Sequence, residues 1–230
     1  MNEIVVNGFE KVPRLSGLND FPEDYKNEEQ VKAWWEKQEK QKKENYFLNN
    51  SGVGKKYLSK SLKDYVAETD EQKNILTTVN HFIKEVNEGK CRTLWLCGNT
   101  GTGKTLLGAA ICRETMGTFT RSYNIKNDIE STRYFKATET KNGCIKRYSS
   151  AYSLLVIDEI GRAGGVEERD FLWQILNERY ENELSTVLIS NMSKGELKEF
   201  LGEPVYDRFV TNCISLTFTG ESYRRKEREI

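Results

Sequence analysis

The sequence predicts an α/β fold in which a parallel five-stranded sheet is flanked by helices. Short apolar runs typical of buried strands occur at 93–97, 118–123, 153–157, 186–190 and 214–218. Helical patterns separate most of these runs, at 104–115, 167–183 and 194–201. Such alternation favours a parallel sheet, because each crossover between parallel strands needs a long connection that is usually helical.

A further helix is predicted just before the first strand of this sheet. Thr69 and Gln72 have the spacing of a capping box, in which each residue satisfies the other's backbone N–H. Gly89 predicts the end of this helix. Between them, apolar residues recur at helical spacing: Ile75, Leu76, Val79, Phe82, Ile83 and Val86.

The chain is predicted to divide into a short, mostly helical and partly flexible N-terminal region, 1–56, and a compact domain, 57–230. Residues 21–46 are highly charged and rich in helix formers but have few apolar positions, so a helix here is marginal alone. A partner-docking helix and a solvated linker both remain open. The segment 49–56, NNSGVGKK, is interpreted as a linker or loop.

Composition limits the classes of function. Acidic and basic residues balance at 35 each, so any nucleic-acid surface must be a local patch. No apolar run reaches the ~20 residues of a membrane span, and the N-terminus lacks the features of a signal peptide, so a cytoplasmic protein without a membrane partner is expected. The five cysteines are scattered and His81 stands alone, so no zinc site is expected.

Residues 98–105, GNTGTGKT, match the phosphate-binding P-loop between a strand and a helix. Its glycines allow a tight turn that aims backbone N–H groups at phosphate oxygens. Lys104 is expected to reach the β- and γ-phosphates of ATP, and the Thr105 hydroxyl to bind Mg²⁺. The predicted nucleotide-binding residues are Gly98, Asn99, Thr100, Gly101, Thr102, Gly103, Lys104, Thr105 and Leu106.

Two later strand ends complete the predicted site. SLLVIDE, at 153–159, is an apolar run that ends in paired carboxylates. Asp158 is expected to hold Mg²⁺ together with Thr105, and Glu159 to orient the attacking water. STVLISN, at 185–191, ends at Asn191, which is expected to orient water or touch the γ-phosphate. An ordinary turn or helix-cap role for Asn191 stays open.

The segments GNTGTGKT, LLVIDEIG, LISN, LGEPVYDRF and GESYRRK resemble, in this order, those of DnaC-type helicase loaders and IstB-type transposition helpers. Both groups are AAA+ P-loop ATPases, and the resemblance covers roughly 57–228. It implies that Arg208 is an arginine finger that reaches the ATP of a neighbouring subunit, so an ATP-dependent oligomer is expected. Arg224 matches the sensor-2 position, with Arg225 as an alternative. For Arg208, a surface ion pair with Asp207 or Glu203 stays open.

The resemblance also implies partners: a DnaB-type replicative DNA helicase and single-stranded DNA. Basic and aromatic residues interleave after the P-loop helix, as single-strand binding requires, although a solvated helix with core aromatics explains them equally. The candidate DNA contacts are Arg121, Tyr123, Lys126, Arg133, Tyr134, Phe135 and Lys136. Residues 1–55 match no family motif; Trp34 and Trp35 are the expected anchors for the helicase, with packing inside the chain as the alternative.

The predicted function is therefore that of an ATP-hydrolysing helicase loader in DNA replication. An IstB-type transposition helper and an ATP-dependent binding adaptor with little turnover are the alternatives. The complete set of Lys104, Asp158, Glu159 and Arg208 argues against the adaptor, because a pure binder does not need hydrolytic residues.

Overall fold

The structure, a computed structural model, describes residues 3–6, 9–13 and 28–223. The chain forms two compact units, residues 1–42 and 43–230. In the first unit, strands β1 (Glu3–Val6) and β2 (Phe9–Pro13) pair antiparallel, and helix α1 (Glu28–Asn50) begins. The predicted N-terminal helix is present, and the β1–β2 pair before it had not been predicted. The Trp34 and Trp35 rings meet edge to face, with centroids 5.1 Å apart.

The second unit contains the predicted sheet. Its strands are β3 (Thr93–Gly98), β4 (Thr118–Arg121), β5 (Leu154–Ile160), β6 (Ser185–Ser190) and β7 (Cys213–Phe218). They lie in the order β4-β5-β6-β3-β7, and every neighbouring pair is parallel. The predicted parallel five-stranded sheet is confirmed. Because the strands are parallel, all their carboxyl ends lie along one edge, where such folds bind ligands.

Helices cover both faces of this sheet. They are α2 (Lys55–Leu58), α3 (Asp70–Asn87), α4 (Lys104–Thr115), α5 (Ser122–Ser131), α6 (Lys141–Ser150), α7 (Gly165–Glu181), α8 (Lys194–Leu201) and α9 (Glu203–Thr211). Successive strand residues point to opposite faces. Leu94 and Leu96 of β3 therefore pack in the core with α3 and α4, whereas Trp95 packs in a second core with α5 to α9.

The predicted cap of α3 is present, since Thr69 and Gln72 each satisfy the other's backbone N–H. Helices α5, α6 and α9 had not been predicted. The strand expected at 118–123 ends at Arg121, because Ser122 already begins α5. Helix α5 buries little apolar surface, chiefly through Ile125 and Ile129. Its sequence pattern is correspondingly weak.

The expected boundary at residue 56 differs from the structure, in which residues 43–56 are part of the second unit. Phe47 is 1% exposed in the core beside α4. The segment expected to be a linker runs along the outer edge of β4, where the Phe119 N–H donates to the Ser51 carbonyl at 2.6 Å. A Cβ atom at Gly52 would lie 2.2 Å from the Phe119 carbonyl oxygen, so this close approach requires glycine.

Candidate functional site

The P-loop turns tightly between β3 and α4. Gly98, Gly101 and Gly103 all have positive φ, at 107°, 82° and 96°, which glycine adopts without strain. Neighbouring backbone also leaves no room for side chains, since a Cβ at Gly98 would lie 2.4 Å from the Phe218 carbonyl oxygen. Helix α4 begins at Lys104, so its unpaired N–H groups face the loop and form an anion-binding end.

The Lys104 ammonium lies folded against this loop. Its Nζ donates to the Gly98 carbonyl at 2.7 Å and to the Asn99 carbonyl at 2.6 Å. The side chain is only 6% exposed, and Nζ lies 5.9 Å from the centroid of the Phe218 ring. These contacts hold a positive charge at the loop where the phosphates of a nucleotide would bind.

Thr105, in the first turn of α4, contacts Asp158, near the carboxyl end of strand β5. The Thr105 hydroxyl donates to Asp158 Oδ2 at 2.9 Å. Burial raises the pKa of the Asp158 carboxyl, and hydrogen bonds from the Thr105 hydroxyl and the Glu159 N–H partly oppose this shift. A hydroxyl beside a carboxylate is an oxygen donor set of the kind Mg²⁺ takes next to phosphates, so these residues fit the predicted ion.

Glu159 has a positive φ of 59°, which costs roughly 1–3 kcal/mol in a residue other than glycine. Its N–H donates to Asp158 Oδ1 at 2.8 Å, and the β5–β6 register shifts between Ile157 and Ile160. The two carboxylates therefore differ in exposure: Asp158 is buried and Glu159 is partly exposed, and both line a cavity at this edge of the sheet. There Glu159 Oε1 lies 3.2 Å from Arg162 Nη1.

Strand β6 brings Ser190 and Asn191 to the same edge. Asn191 is exposed and lines the cavity, as its predicted role requires. Ser190 was missed by the sequence analysis. Its Oγ accepts hydrogen bonds from Trp95 Nε1 at 3.2 Å and from the Met192 N–H at 3.3 Å, so it fixes the turn that presents Asn191.

These residues surround a cavity of about 530 Å³, within the usual size range for small-molecule sites. Tyr57, Tyr65 and Val66 line it from the segment before α3, and Tyr223 lines it from the segment after β7. The Tyr223 N–H donates to the Gly101 carbonyl at 3.0 Å, and its hydroxyl donates to the Val66 carbonyl at 3.0 Å. No motif marks these aromatic residues, and only the fold brings them to the P-loop.

The two predicted arginines have different outcomes. Arg208, on α9, does not belong to the described residues that line the nucleotide cavity. It lies instead beside Thr93 and Thr186, at the amino ends of β3 and β6. Its nearest acidic partner is Glu181, at 4.0 Å, rather than Asp207 or Glu203. Arg224, and its alternative Arg225, lie outside the described residues.

The candidate DNA-contacting aromatics are on the surface. In the connection between α5 and α6, Tyr134 is 74% exposed and Phe135 is fully exposed. They are therefore not core aromatics. Arg133 and Lys136 flank them and are also exposed. Lys126, by contrast, is partly buried and lies 3.8 Å from Glu167.

The fold and site define a P-loop protein of the AAA+ class. Residues 36–230 match the family described as IstB-like ATP binding protein, and the chain belongs to that family. It is 28% identical, over 94% of both chains, to the replicative helicase loader DnaC of Buchnera aphidicola subsp. Acyrthosiphon pisum (strain APS). It is also 28% identical to DnaC of Escherichia coli (strain K12), covering 78% of this chain and 75% of that one.

A crystal structure of the DnaC helicase loader has the same fold. Its TM-score is 0.62 at 23% identity, covering 72% of this chain and 100% of that chain. The resemblance to DnaC and IstB proteins is confirmed. Within the described part of the chain, no helix is both long and apolar enough to cross a membrane.

Proposed function

We propose that this protein is a helicase loader that uses ATP to place a replicative DNA helicase on single-stranded DNA. The observation that carries the proposal is the Thr105–Asp158 contact at the end of a complete P-loop, with Glu159 beside it, in a chain whose relatives are named DnaC. Such a role would place the protein in the cytoplasm.

In the proposed reaction, the loop N–H groups and Lys104 bind the phosphates of ATP. Thr105 and Asp158 would hold Mg²⁺, which neutralises phosphate charge when bound. Glu159 orients a water molecule toward the γ-phosphate and polarises it. Asn191 contacts the same phosphate or water from the neighbouring strand. Arg224 would contact phosphate from the same chain, as the resemblance to DnaC-type loaders implies.

The site of one chain needs a second chain in this proposal. Arg208 lies beside Thr93, whereas the P-loop begins at Gly98, five residues further along β3. At about 3.3 Å per strand residue, these positions are roughly 16 Å apart, beyond the reach of an arginine side chain. This distance is consistent with the role that the resemblance implies for Arg208, which is to reach the ATP of the next subunit, where an arginine finger can raise the rate by ~10³–10⁵.

Single-stranded DNA is proposed to bind at the α5–α6 connection. Bases stack on Tyr134 and Phe135, while Arg133 and Lys136 contact phosphates, which is the common way to hold single strands without reading sequence. The exposure of both rings supports this assignment, because two adjacent aromatic side chains on the surface do not contribute to packing of the core.

The helicase is proposed to bind the N-terminal unit. Trp34 is buried, whereas Trp35 is only partly buried. Aromatic residues often dominate the energetics of interfaces. Of the two tryptophans, Trp35 is therefore the proposed anchor.

The test is capture of the purified replicative helicase by the full chain, by a chain lacking residues 1–42, and by the Trp35→Ala variant. Cutting at residue 42 keeps Phe47 and Ser51, which the ATPase unit needs. The loader is supported if the truncated chain and the Trp35→Ala variant no longer capture the helicase but still bind ATP. If the full chain does not capture the helicase but binds duplex DNA and a transposase, the result would favour the IstB-type helper. Helicase capture without ATP turnover, even with single-stranded DNA, would favour the adaptor.

A further inference from the structure

A buried carboxylate in α7 has no part in the mechanism above. Glu168 is completely inaccessible to solvent. Its Oε1 accepts hydrogen bonds from the Gly161 N–H at 2.8 Å and from the Ser122 hydroxyl. Its Oε2 accepts from the Gly164 N–H at 2.7 Å.

Such a group is costly to bury, so its partners indicate what it holds in place. The three donors come from two segments: the loop that follows Glu159, and Ser122 at the junction of β4 and α5. Two of them are backbone N–H groups of one short loop. Glu168 is thus an internal anchor for residues 161–164.

This loop is the continuation of the turn that carries Glu159. The Arg162 N–H donates to the Glu159 carbonyl at 3.2 Å, and Arg162 Nη1 lies 3.2 Å from Glu159 Oε1. Gly161 and Arg162 both line the nucleotide cavity. On its other side the loop is packed tightly, since a Cβ at Gly161 would lie 2.2 Å from Met192 Cε.

Glu159 itself has the unfavourable positive φ, and such a conformation persists only where its surroundings impose it. Asp158 fixes the turn from one side through the Glu159 N–H. The bonds from Gly161 and Gly164 to Glu168 fix it from the other side. Movement of this loop would move the Glu159 carboxylate relative to the phosphates.

We propose that Glu168 is a positioning residue for ATP hydrolysis, which holds the 161–164 loop so that Glu159 faces the γ-phosphate. This inference rests on the proposed function, because it assumes that Glu159 activates water. Glu168 does not line the nucleotide cavity, so it acts on turnover and not on binding.

The test is Glu168→Gln, which keeps the size of the side chain. An amide nitrogen cannot accept a hydrogen bond, so one glycine N–H loses its partner in either amide orientation. We expect kcat to fall about tenfold to a hundredfold, as for a misplacement of about 1 Å, with the Kd of a fluorescent ATP analogue changed less than about twofold. Hydrogen exchange at Gly161 and Gly164 should accelerate.

Glu178→Gln is the matched control on the same helix, because Glu178 accepts from the Ser149 hydroxyl away from the nucleotide cavity. It should leave kcat unchanged. Ser122→Ala keeps both glycine bonds and should lower kcat less than Glu168→Gln.

An unchanged kcat in folded Glu168→Gln protein overturns the inference, as does a parallel loss of kcat, nucleotide affinity and thermal stability. Absence of turnover in the unmodified protein with helicase and single-stranded DNA present would instead refute the proposed function. Hydrogen exchange at Gly161 and Gly164 would still report whether Glu168 anchors the loop. An unchanged exchange rate in Glu168→Gln would overturn that claim.

Discussion

Replacing Lys104 with alanine tests how the P-loop recognises phosphate. Without nucleotide, the Lys104 ammonium already has two carbonyl partners, from Gly98 and Asn99. Binding of ATP exchanges these neutral acceptors for anionic phosphate oxygens. Charged acceptors make hydrogen bonds roughly twice as strong, so we assign about 1.5 kcal/mol to each of two contacts. Lys104→Ala should therefore cost about 3 kcal/mol, or on the order of a hundredfold in the Kd for ATP.

The assay is titration of a fluorescent ATP analogue by anisotropy or calorimetry. Lys198→Ala is the control, since Lys198 pairs with Glu203 outside the cavity. A Kd within about threefold of the unmodified protein, in a variant that melts normally, would refute the assignment of Lys104 to the phosphates.

Three further predictions follow from burial and exposure. Since burial raises the pKa of Asp158 above its ordinary 3.8, its ionised form destabilises the nucleotide-free fold. The contribution of Asp158 alone should therefore raise the free energy of unfolding as the pH falls from neutral through that raised pKa, whereas carboxyls with a lowered pKa, such as Glu85, give the opposite trend. In chemical denaturation, the free energy of unfolding of the unmodified protein minus that of Asp158→Asn should thus increase as the pH falls. The variant should also lose stabilisation by Mg²⁺ and ATP. Phe135→Ala should weaken binding of labelled single-stranded DNA by about 1–3 kcal/mol, whereas Trp173→Ala on α7 should not. Phe47→Ala should lower the free energy of unfolding of the second unit, residues 43–230, by about 3–5 kcal/mol, and exposed Leu48→Ala by far less.

The strands and the P-loop could be predicted because their signals are local. Strands β3, β5 and β6 contain apolar runs that are buried on both faces, and the glycines of 98–103 serve a turn within a few residues. The ends of α4 and α8 were predicted to the residue for the same reason.

The remaining features depend on tertiary contacts. Phe47 is a core residue in a highly charged stretch, and its position against Arg113 and α4, together with the Ser51–Phe119 bond, makes 43–56 part of the second unit. The cavity-lining Tyr65 and Tyr223 are far apart in sequence and meet at the P-loop only in the fold. Glu168 looks like any acidic residue in the first turn of a helix, and its burial cannot be read from the sequence.

The central claim is that one chain holds an incomplete ATPase site that a neighbouring Arg208 completes. Mixing Glu159→Gln and Arg208→Ala proteins tests it most directly, with single-stranded DNA and helicase present. Each variant alone should be nearly inactive. In an equal mixture, random assembly gives roughly a quarter of sites both an intact Glu159 and an intact neighbouring Arg208, so about that fraction of normal turnover should return. No recovery at any mixing ratio would contradict the account.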